Sequence, residues 1–210
     1  MSQERRDVVA VGLTGGIGAG KSTALALFKE MGALTVSADR VVHGLYSQRG
    51  LSSLVAAHFG PEVLNARGRV DRRRLADAVR GRPGELAWLE GVTHPRVAES
   101  IERRIGKAPA GAVVVCEVPL LFEAGHEAMF DLIVTVEAGP ENRRRRSIHS
   151  FDLDQFSEFE RLQASSERRV AGSGLAFFND GGIDDLRAFV RGAYERAQAL
   201  LGERRRGRLR

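Results

Sequence analysis

A glycine-rich segment near the start of the chain ends in a lysine and two hydroxyl side chains. It reads GGIGAGKST at residues 15–23, follows an apolar run at residues 8–13 and matches the pattern GxxxxGK[ST]. Glycines at this spacing let the backbone form a ring of N–H donors around phosphate oxygens, while Lys21 can neutralise phosphate charge and Ser22 can ligate Mg²⁺. A glycine-rich turn that binds nothing would not need the lysine and the hydroxyls, so the motif predicts a nucleoside triphosphate site. The residues predicted to bind the triphosphate are Gly16, Gly18, Ala19, Gly20, Lys21, Ser22 and Thr23.

Asp39 follows a second apolar segment, residues 33–37, which is typical of a strand. A residue at the end of that strand should emerge at the carboxyl edge of the sheet, beside the phosphate loop. There a carboxylate can accept a hydroxyl proton or hold Mg²⁺. The alternative is an N-cap for a helix that begins at Arg40, and the residues alone leave both interpretations open.

Glu117 lies in a third apolar run, residues 112–121. A carboxylate that ends an apolar strand is costly to bury without a partner. Beside a phosphate loop it is the natural candidate for an acid on the metal or water side of the phosphates, so Ser22 and Glu117 are the predicted metal ligands. The alternative is an ion pair with a neighbouring arginine.

Four consecutive arginines, residues 143–146, occupy a charged segment after a fourth apolar run. One or two of them can cover the triphosphate and stabilise charge in the transition state, as an internal arginine finger does. Consecutive residues of a helix cannot all face one way, so at most two should contact phosphate. The alternative is a solvated charged face.

The histidines predict no metal centre. His94 precedes Pro95 and is more typical of a helix cap or a packing element than of an acid or base. His126 and His149 have no partner at metal-ligand spacing, so no zinc site is expected.

Apolar runs alternate with helical patterns along much of the chain, which predicts an α/β fold with a mostly parallel five-stranded sheet. The predicted strands are residues 8–13, 33–37, 112–121, 132–136 and 175–178. Helices are predicted at residues 22–31 and 183–201. The interval 40–109 predicts an inserted helical subdomain, with breaks at Gly60-Pro61, Arg82-Pro83-Gly84 and His94-Pro95. The charged interval 140–169 predicts a mobile helical flap.

Composition places the chain among soluble globular proteins of a reducing compartment. It has 210 residues, 43% of them hydrophobic, and a formal charge of +5. Residues 203–210 carry five arginines and one glutamate, so the basicity predicts a solvated or disordered tail rather than a nucleic-acid surface. The single cysteine, Cys116, excludes an internal disulfide, and no apolar stretch approaches a membrane span. We expect a cytoplasmic protein that binds neither membrane nor nucleic acid.

The chain resembles the dephospho-CoA kinase family, whose members phosphorylate the ribose 3′-hydroxyl of dephospho-CoA. The loop GLTGGIGAGKST opens the resemblance, and His94-Pro95 and the run PLLFE at residues 119–123 distinguish this family from other proteins with a phosphate loop. The other landmarks are Ser37-Ala38-Asp39, Phe59-Gly60, Gly68-Arg69-Val70-Asp71-Arg72 with Leu75, Leu89-Glu90, Val118, and Asn179 with Gly181.

The resemblance implies one P-loop kinase domain over residues 1–203, of three-layer architecture, and a basic tail over 204–210. Its core is residues 8–39, 110–140 and 171–203, its CoA-binding insertion 40–109 and its lid 140–170. It implies ATP, Mg²⁺ and dephospho-CoA as ligands, and we expect a monomer or weak homo-oligomer. The implied catalytic residues are Asp39 as general base, Lys21, Arg146 in the lid and Thr14 near the acceptor. The implied substrate-binding residues are Thr14, Asp39, Arg72, His94 and Leu120.

The chain departs from the family pattern in the lid and the adenine region. Ser37 stands where the family usually has an aspartate, and Ser150 stands where it often has a second arginine. In the Arg-x-x-x-Gln pattern Gln163 is present, but Phe159 replaces the arginine and Arg161 is displaced by two positions. Two rival functions therefore remain, another small-molecule P-loop kinase and a nucleotide-binding module with impaired catalysis.

Overall fold

The sheet carries the phosphate loop on its central strand. A computed structural model describes residues 7–147 and 153–207; the predictions for His149, Ser150 and residues 208–210 lie outside them. The strand order is β2-β3-β1-β4-β5 and every neighbouring pair is parallel. The strands are β1 (Val9–Thr14), β2 (Leu34–Ser37), β3 (Val113–Glu117), β4 (Leu132–Glu137) and β5 (Leu175–Phe178). This confirms the predicted five-stranded parallel sheet.

The three inner strands β3, β1 and β4 are buried along their whole length, as expected of a parallel sheet covered on both faces. The sheet belongs to a unit formed by the described residues of 1–37 and 102–210, called here the sheet unit. It also contains the helices α1 (Lys21–Glu30), α6 (Pro140–Ser147), α7 (Leu153–Leu162), α8 (Ser166–Ala171) and α9 (Ile183–Gly207). Phe28 of α1 and Val190 of α9 share one core cluster with Val11, Val115 and Val134 of the inner strands. This packing fixes the strand ends, and therefore the loops that follow them.

Cys116 belongs to the packed interior of β3. The residue is fully buried, and burial raises the pKa of its thiol to about 12. The positive charge of Arg104 lowers this pKa, but by less than burial raises it. A buried thiol with such a pKa carries almost no thiolate near neutral pH, so Cys116 acts as a small apolar residue.

A second, helical unit spans Ala38–Ile101. Its elements are α2 (Ala38–Leu45), α3 (Arg49–Phe59), a 3₁₀ turn at Pro61–Val63, α4 (Arg72–Val79) and α5 (Pro83–Gly106), whose last turn belongs to the sheet unit. The Asp71 carboxylate caps α4 by accepting from the amides of Arg73 and Arg74. Helices therefore fill the interval in which the sequence predicted an insertion.

The predicted helix break at His94-Pro95 is wrong, because α5 runs through Pro95 without interruption. Proline removes one hydrogen bond in a helix interior. Leu89, Val97 and Ile101 are buried on one face of α5 together with Thr93, at spacings of four residues, and this continuous buried face favours one long helix. His94 is therefore part of a helix interior and does not cap a helix.

Helix α9 continues to Gly207, beyond the predicted end at residue 201, so residues 203–207 of the predicted tail are helical, with Glu203, Arg205 and Arg206 exposed to solvent. The Arg204 guanidinium contacts Asp131 (Nη2···Oδ1 2.5 Å) and donates to the Val8 carbonyl at 3.0 Å. These contacts tie the last turns to the start of β1, and basic side chains favour a helix C-terminus. In the described ranges no helix is long and apolar enough to span a membrane.

Candidate active site

The phosphate loop joins β1 to α1 at the carboxyl end of the central strand, where ligands bind in open parallel sheets. Gly15 and Gly18 both adopt positive φ, 142° and 72°. A Cβ at Gly15 would lie 1.8 Å from the Val136 carbonyl oxygen, and one at Gly18 would lie 2.4 Å from the Arg143 carbonyl oxygen. Side chains are therefore excluded at both positions, and the bare backbone packs between β4 and α6.

The Lys21 ammonium lies across the loop. Its Nζ donates to the carbonyl oxygens of Gly15 at 3.0 Å and of Gly16 at 2.9 Å, and the residue is only 9% exposed. The loop thus has its cation in place but engaged with its own backbone.

Ser22 and Glu117 lie together at the edge of the sheet. The Ser22 hydroxyl donates to Oε1 of Glu117 at 3.0 Å, and Glu117 ends β3 in register with Leu13 and Ser37. Over the ranges that the structure covers, no ion pair joins Glu117 to an arginine. The same ranges contain no group of three or more histidine, cysteine or acidic residues that could hold a metal ion. A hydroxyl and one carboxylate are the hard oxygen ligands that Mg²⁺ accepts beside phosphate and water.

Two of the four consecutive arginines face the phosphate loop. Arg143 and Arg146, three residues apart on α6, are partly buried, whereas Arg144 and Arg145 are exposed. Nη1 of Arg146 lies 3.4 Å from the Ala19 carbonyl oxygen, and Nη1 of Arg143 pairs with Oε1 of Glu160 at 2.7 Å. The helix geometry thus divides the run into an inner and a solvated face.

Thr14 ends β1 and is fully buried. Among the described residues its hydroxyl has no hydrogen-bond partner. In this conformation the buried side chain is not accessible to the acceptor substrate, so its placement near that substrate stays a prediction.

Three of the predicted substrate residues belong to the helical unit. Asp39 is exposed in the first turn of α2, which begins at Ala38, so it is not the N-cap of a helix starting at Arg40. Arg72 is exposed at the start of α4 and His94 is partly exposed in α5. Leu120 differs, because it follows β3 in the sheet unit and is half-buried.

Three further residues, Asn179, Arg169 and Glu137, lie beside the phosphate loop and were not among the predicted site residues. The side-chain nitrogen Nδ2 of Asn179 donates to the Ala19 carbonyl at 2.8 Å, and the backbone amide of Asn179 donates to the Glu137 carbonyl at 2.7 Å. Arg169 forms a buried bidentate pair with Glu137, at 2.6 and 2.9 Å. Asn179 was recognisable only as one of the residues that carry the family resemblance. No pattern in the sequence connects Glu137 with Arg169.

Gln163 is a fourth residue beside the loop. Its carboxamide oxygen accepts from the Ile17 amide at 2.8 Å, and its nitrogen donates to the carbonyl oxygens of Gly15 and Pro119. The only signal was its place in the disturbed Arg-x-x-x-Gln pattern.

A glycine loop with positive φ, a lysine and a serine at the following helix N-terminus, and a parallel sheet around that loop define a P-loop nucleotide-binding protein. The model of the family described as dephospho-CoA kinase matches residues 9–185. The chain belongs to the dephospho-CoA kinase family.

Individual relatives agree with this assignment. A dephospho-CoA kinase of Streptomyces avermitilis is 37% identical over 85% of this chain and 89% of its own length. One of Moorella thermoacetica is 34% identical over 92% of this chain and 94% of its own. The crystal structure of TT1252 from Thermus thermophilus is similar with a TM-score of 0.75 and 31% identity, over 89% of this chain and 97% of that one. A P-loop kinase of another family is therefore not favoured.

Proposed function

We propose that the chain transfers the γ-phosphoryl group of ATP to the ribose 3′-hydroxyl of dephospho-CoA, which yields CoA and ADP. The observation that carries this proposal is the phosphate loop with Lys21 at its centre and the Ser22–Glu117 pair beside it, in a member of this kinase family. Phosphoryl transfer requires little covalent work from the protein, so positioning and charge neutralisation supply most of the catalysis.

Ser22 and Glu117 fit Mg²⁺, because a hydroxyl and one carboxylate leave room for water and for phosphate oxygens. When bound, Mg²⁺ neutralises charge on the β- and γ-phosphates. Gly16 to Thr23 hold the triphosphate through backbone amides and the N-terminus of α1. Lys21 turns from the loop carbonyls to the phosphates.

Asp39 orients or deprotonates the acceptor hydroxyl in this proposal. Its exposed carboxylate at the start of α2 is accessible to a substrate. Arg146 covers the charge that develops in the transition state, supported by its place beside Ala19 on the inner face of α6. The acceptor substrate, dephospho-CoA, is bound by Thr14, Arg72, His94 and Leu120. Closure of the lid excludes water from the reacting groups.

We further propose a cytoplasmic protein that acts as a monomer or weak homo-oligomer on small-molecule substrates. Its single, buried cysteine supports a reducing compartment. The concentration of excess positive charge in residues 203–210 supports the absence of a nucleic-acid partner.

The proposal is tested by measuring ADP release from Mg·ATP with dephospho-CoA, shikimate, adenosine or no acceptor. Dephospho-CoA alone should stimulate release, and CoA should accumulate in equal amount. A stronger stimulation by shikimate or adenosine, or ATP hydrolysis that no acceptor changes, would exclude the proposed activity.

A further inference from the structure

Gln163 connects the segment after α7 with the phosphate loop. It is half-buried, and the neighbouring Ala164 is fixed on both sides, because its amide donates to Glu123 and its carbonyl accepts from Arg169. The carboxamide is therefore presented to the loop from an anchored backbone.

All three hydrogen bonds of the Gln163 carboxamide go to backbone groups. The Ile17 amide donates to Oε1 at 2.8 Å, while Nε2 donates to the carbonyls of Gly15 at 3.2 Å and Pro119 at 3.1 Å. The bond from Ile17 orients the group so that its nitrogen faces the two carbonyls. Gln163 thus supplies a second donor to a carbonyl that Lys21 also uses.

The two carbonyls that hold Lys21 each have another donor. The Gly16 carbonyl accepts from the Ala19 amide at 3.1 Å, and the Gly15 carbonyl accepts from Gln163. Both glycines are buried. A buried carbonyl left without a donor costs about 1–3 kcal/mol. With these second donors, Lys21 can leave for phosphate without leaving either oxygen unsatisfied.

We infer that Gln163 is a positioning residue that lowers the cost of moving Lys21 from the loop to the β- and γ-phosphates, by keeping the Gly15 carbonyl hydrogen-bonded. This inference rests on the proposed use of ATP. It predicts a dependence on phosphate number, because AMP has neither of the phosphates that Lys21 reaches. With AMP, Lys21 stays on the loop carbonyls and Gln163 contributes nothing to binding.

The experiment is calorimetric titration of the full chain with ATP, ADP and AMP, without acceptor. Gln163→Met removes all three hydrogen bonds. Gln163→Glu keeps an acceptor for the Ile17 amide, removes the donation, and adds a negative charge that attracts the Lys21 ammonium. Both variants should bind ATP and ADP about 10-fold more weakly, with AMP affinity changed less than about 2-fold. Gln198→Met, an exposed glutamine of α9, is the matched control and should change none of the three.

A double-variant cycle isolates the coupling. In a Lys21→Met background there is no ammonium to move, so adding Gln163→Met should weaken ATP binding less than about 2-fold further. Unchanged ATP affinity in both Gln163 variants, or an equal loss for ATP and AMP, would overturn the inference. Wild-type protein that binds ATP without forming CoA would instead refute the proposed function and leave this comparison of nucleotides valid.

Discussion

The hydroxyl of Ser22 lies 3.0 Å from Oε1 of Glu117, although 95 residues separate them in the chain. This contact places a hydroxyl and a carboxylate oxygen beside the phosphate loop. These are ligand types that Mg²⁺ accepts, so this pair is the proposed magnesium site.

Glu117→Gln should weaken magnesium binding without destroying the fold, because it removes the charge and keeps the side-chain shape. We expect the Mg²⁺ concentration for half-maximal activity to rise about 10- to 100-fold. Initial rates against Mg²⁺ at saturating ATP measure this, with Glu195→Gln on the exposed side of α9 as the control. An unchanged Mg²⁺ profile would remove Glu117 from the metal site.

Lys21→Met should abolish CoA formation, whereas Lys29→Met should not. The two lysines lie on the same helix, but Lys21 is buried against the loop carbonyls and Lys29 is exposed. Loss of the Lys21 ammonium removes neutralising charge from the phosphates, and we expect kcat to fall at least about 100-fold. Steady-state rates, with circular dichroism to verify folding, provide the measurement. Comparable rates for the two variants would contradict the role of Lys21.

Replacing an arginine of α6 should lower activity only where the side chain faces the phosphate loop. Arg146→Ala is expected to lower kcat at least about 100-fold, because the side chain lies beside Ala19 of the loop. Arg144→Ala and Arg145→Ala should retain kcat within about 2-fold, since both residues are exposed. A loss of kcat in Arg144→Ala or Arg145→Ala as large as that in Arg146→Ala would contradict this division of the helix into two faces.

Arg169→Met should lower the free energy of unfolding by about 3–5 kcal/mol, because it leaves the Glu137 carboxylate buried without its partner. Replacing both, as Glu137→Leu with Arg169→Met, should recover much of this loss. Urea titrations measure the free energies. Arg187→Met, which breaks an exposed pair with Asp184, should cost less than about 1 kcal/mol and serves as the control. A double variant as unstable as the sum of its single variants would contradict this explanation.

Local patterns predicted the elements well where a few neighbouring residues decide the structure. The strand at residues 175–178 is confirmed residue by residue as β5, and the phosphate loop was recognisable because its glycines, lysine and hydroxyls are contiguous. The predicted break at Pro95 was wrong because the buried, mostly apolar face that runs along α5 outweighs one lost hydrogen bond.

Partners that are far apart in the chain could not be predicted. Gln163 meets Ile17 across 146 residues, and Arg204 meets Asp131 across 73. Such contacts depend on how the strands order and the helices pack, and no periodicity in a single sequence encodes them. Family resemblance brought Asn179 and Gln163 to attention but did not indicate which backbone groups they bind.

The most direct measurement is the product formed from Mg·ATP and dephospho-CoA by the wild-type protein and by Asp39→Asn. Mass spectrometry counts the added phosphoryl groups, and NMR assigns the oxygen that carries them. For the wild-type protein we expect one phosphoryl group on the ribose 3′-oxygen and an equal amount of ADP. Asp39→Asn should bind ATP within about 2-fold of wild type and form no CoA above background. A product phosphorylated elsewhere, or near-normal CoA formation by Asp39→Asn, would contradict the proposed reaction or its proposed base.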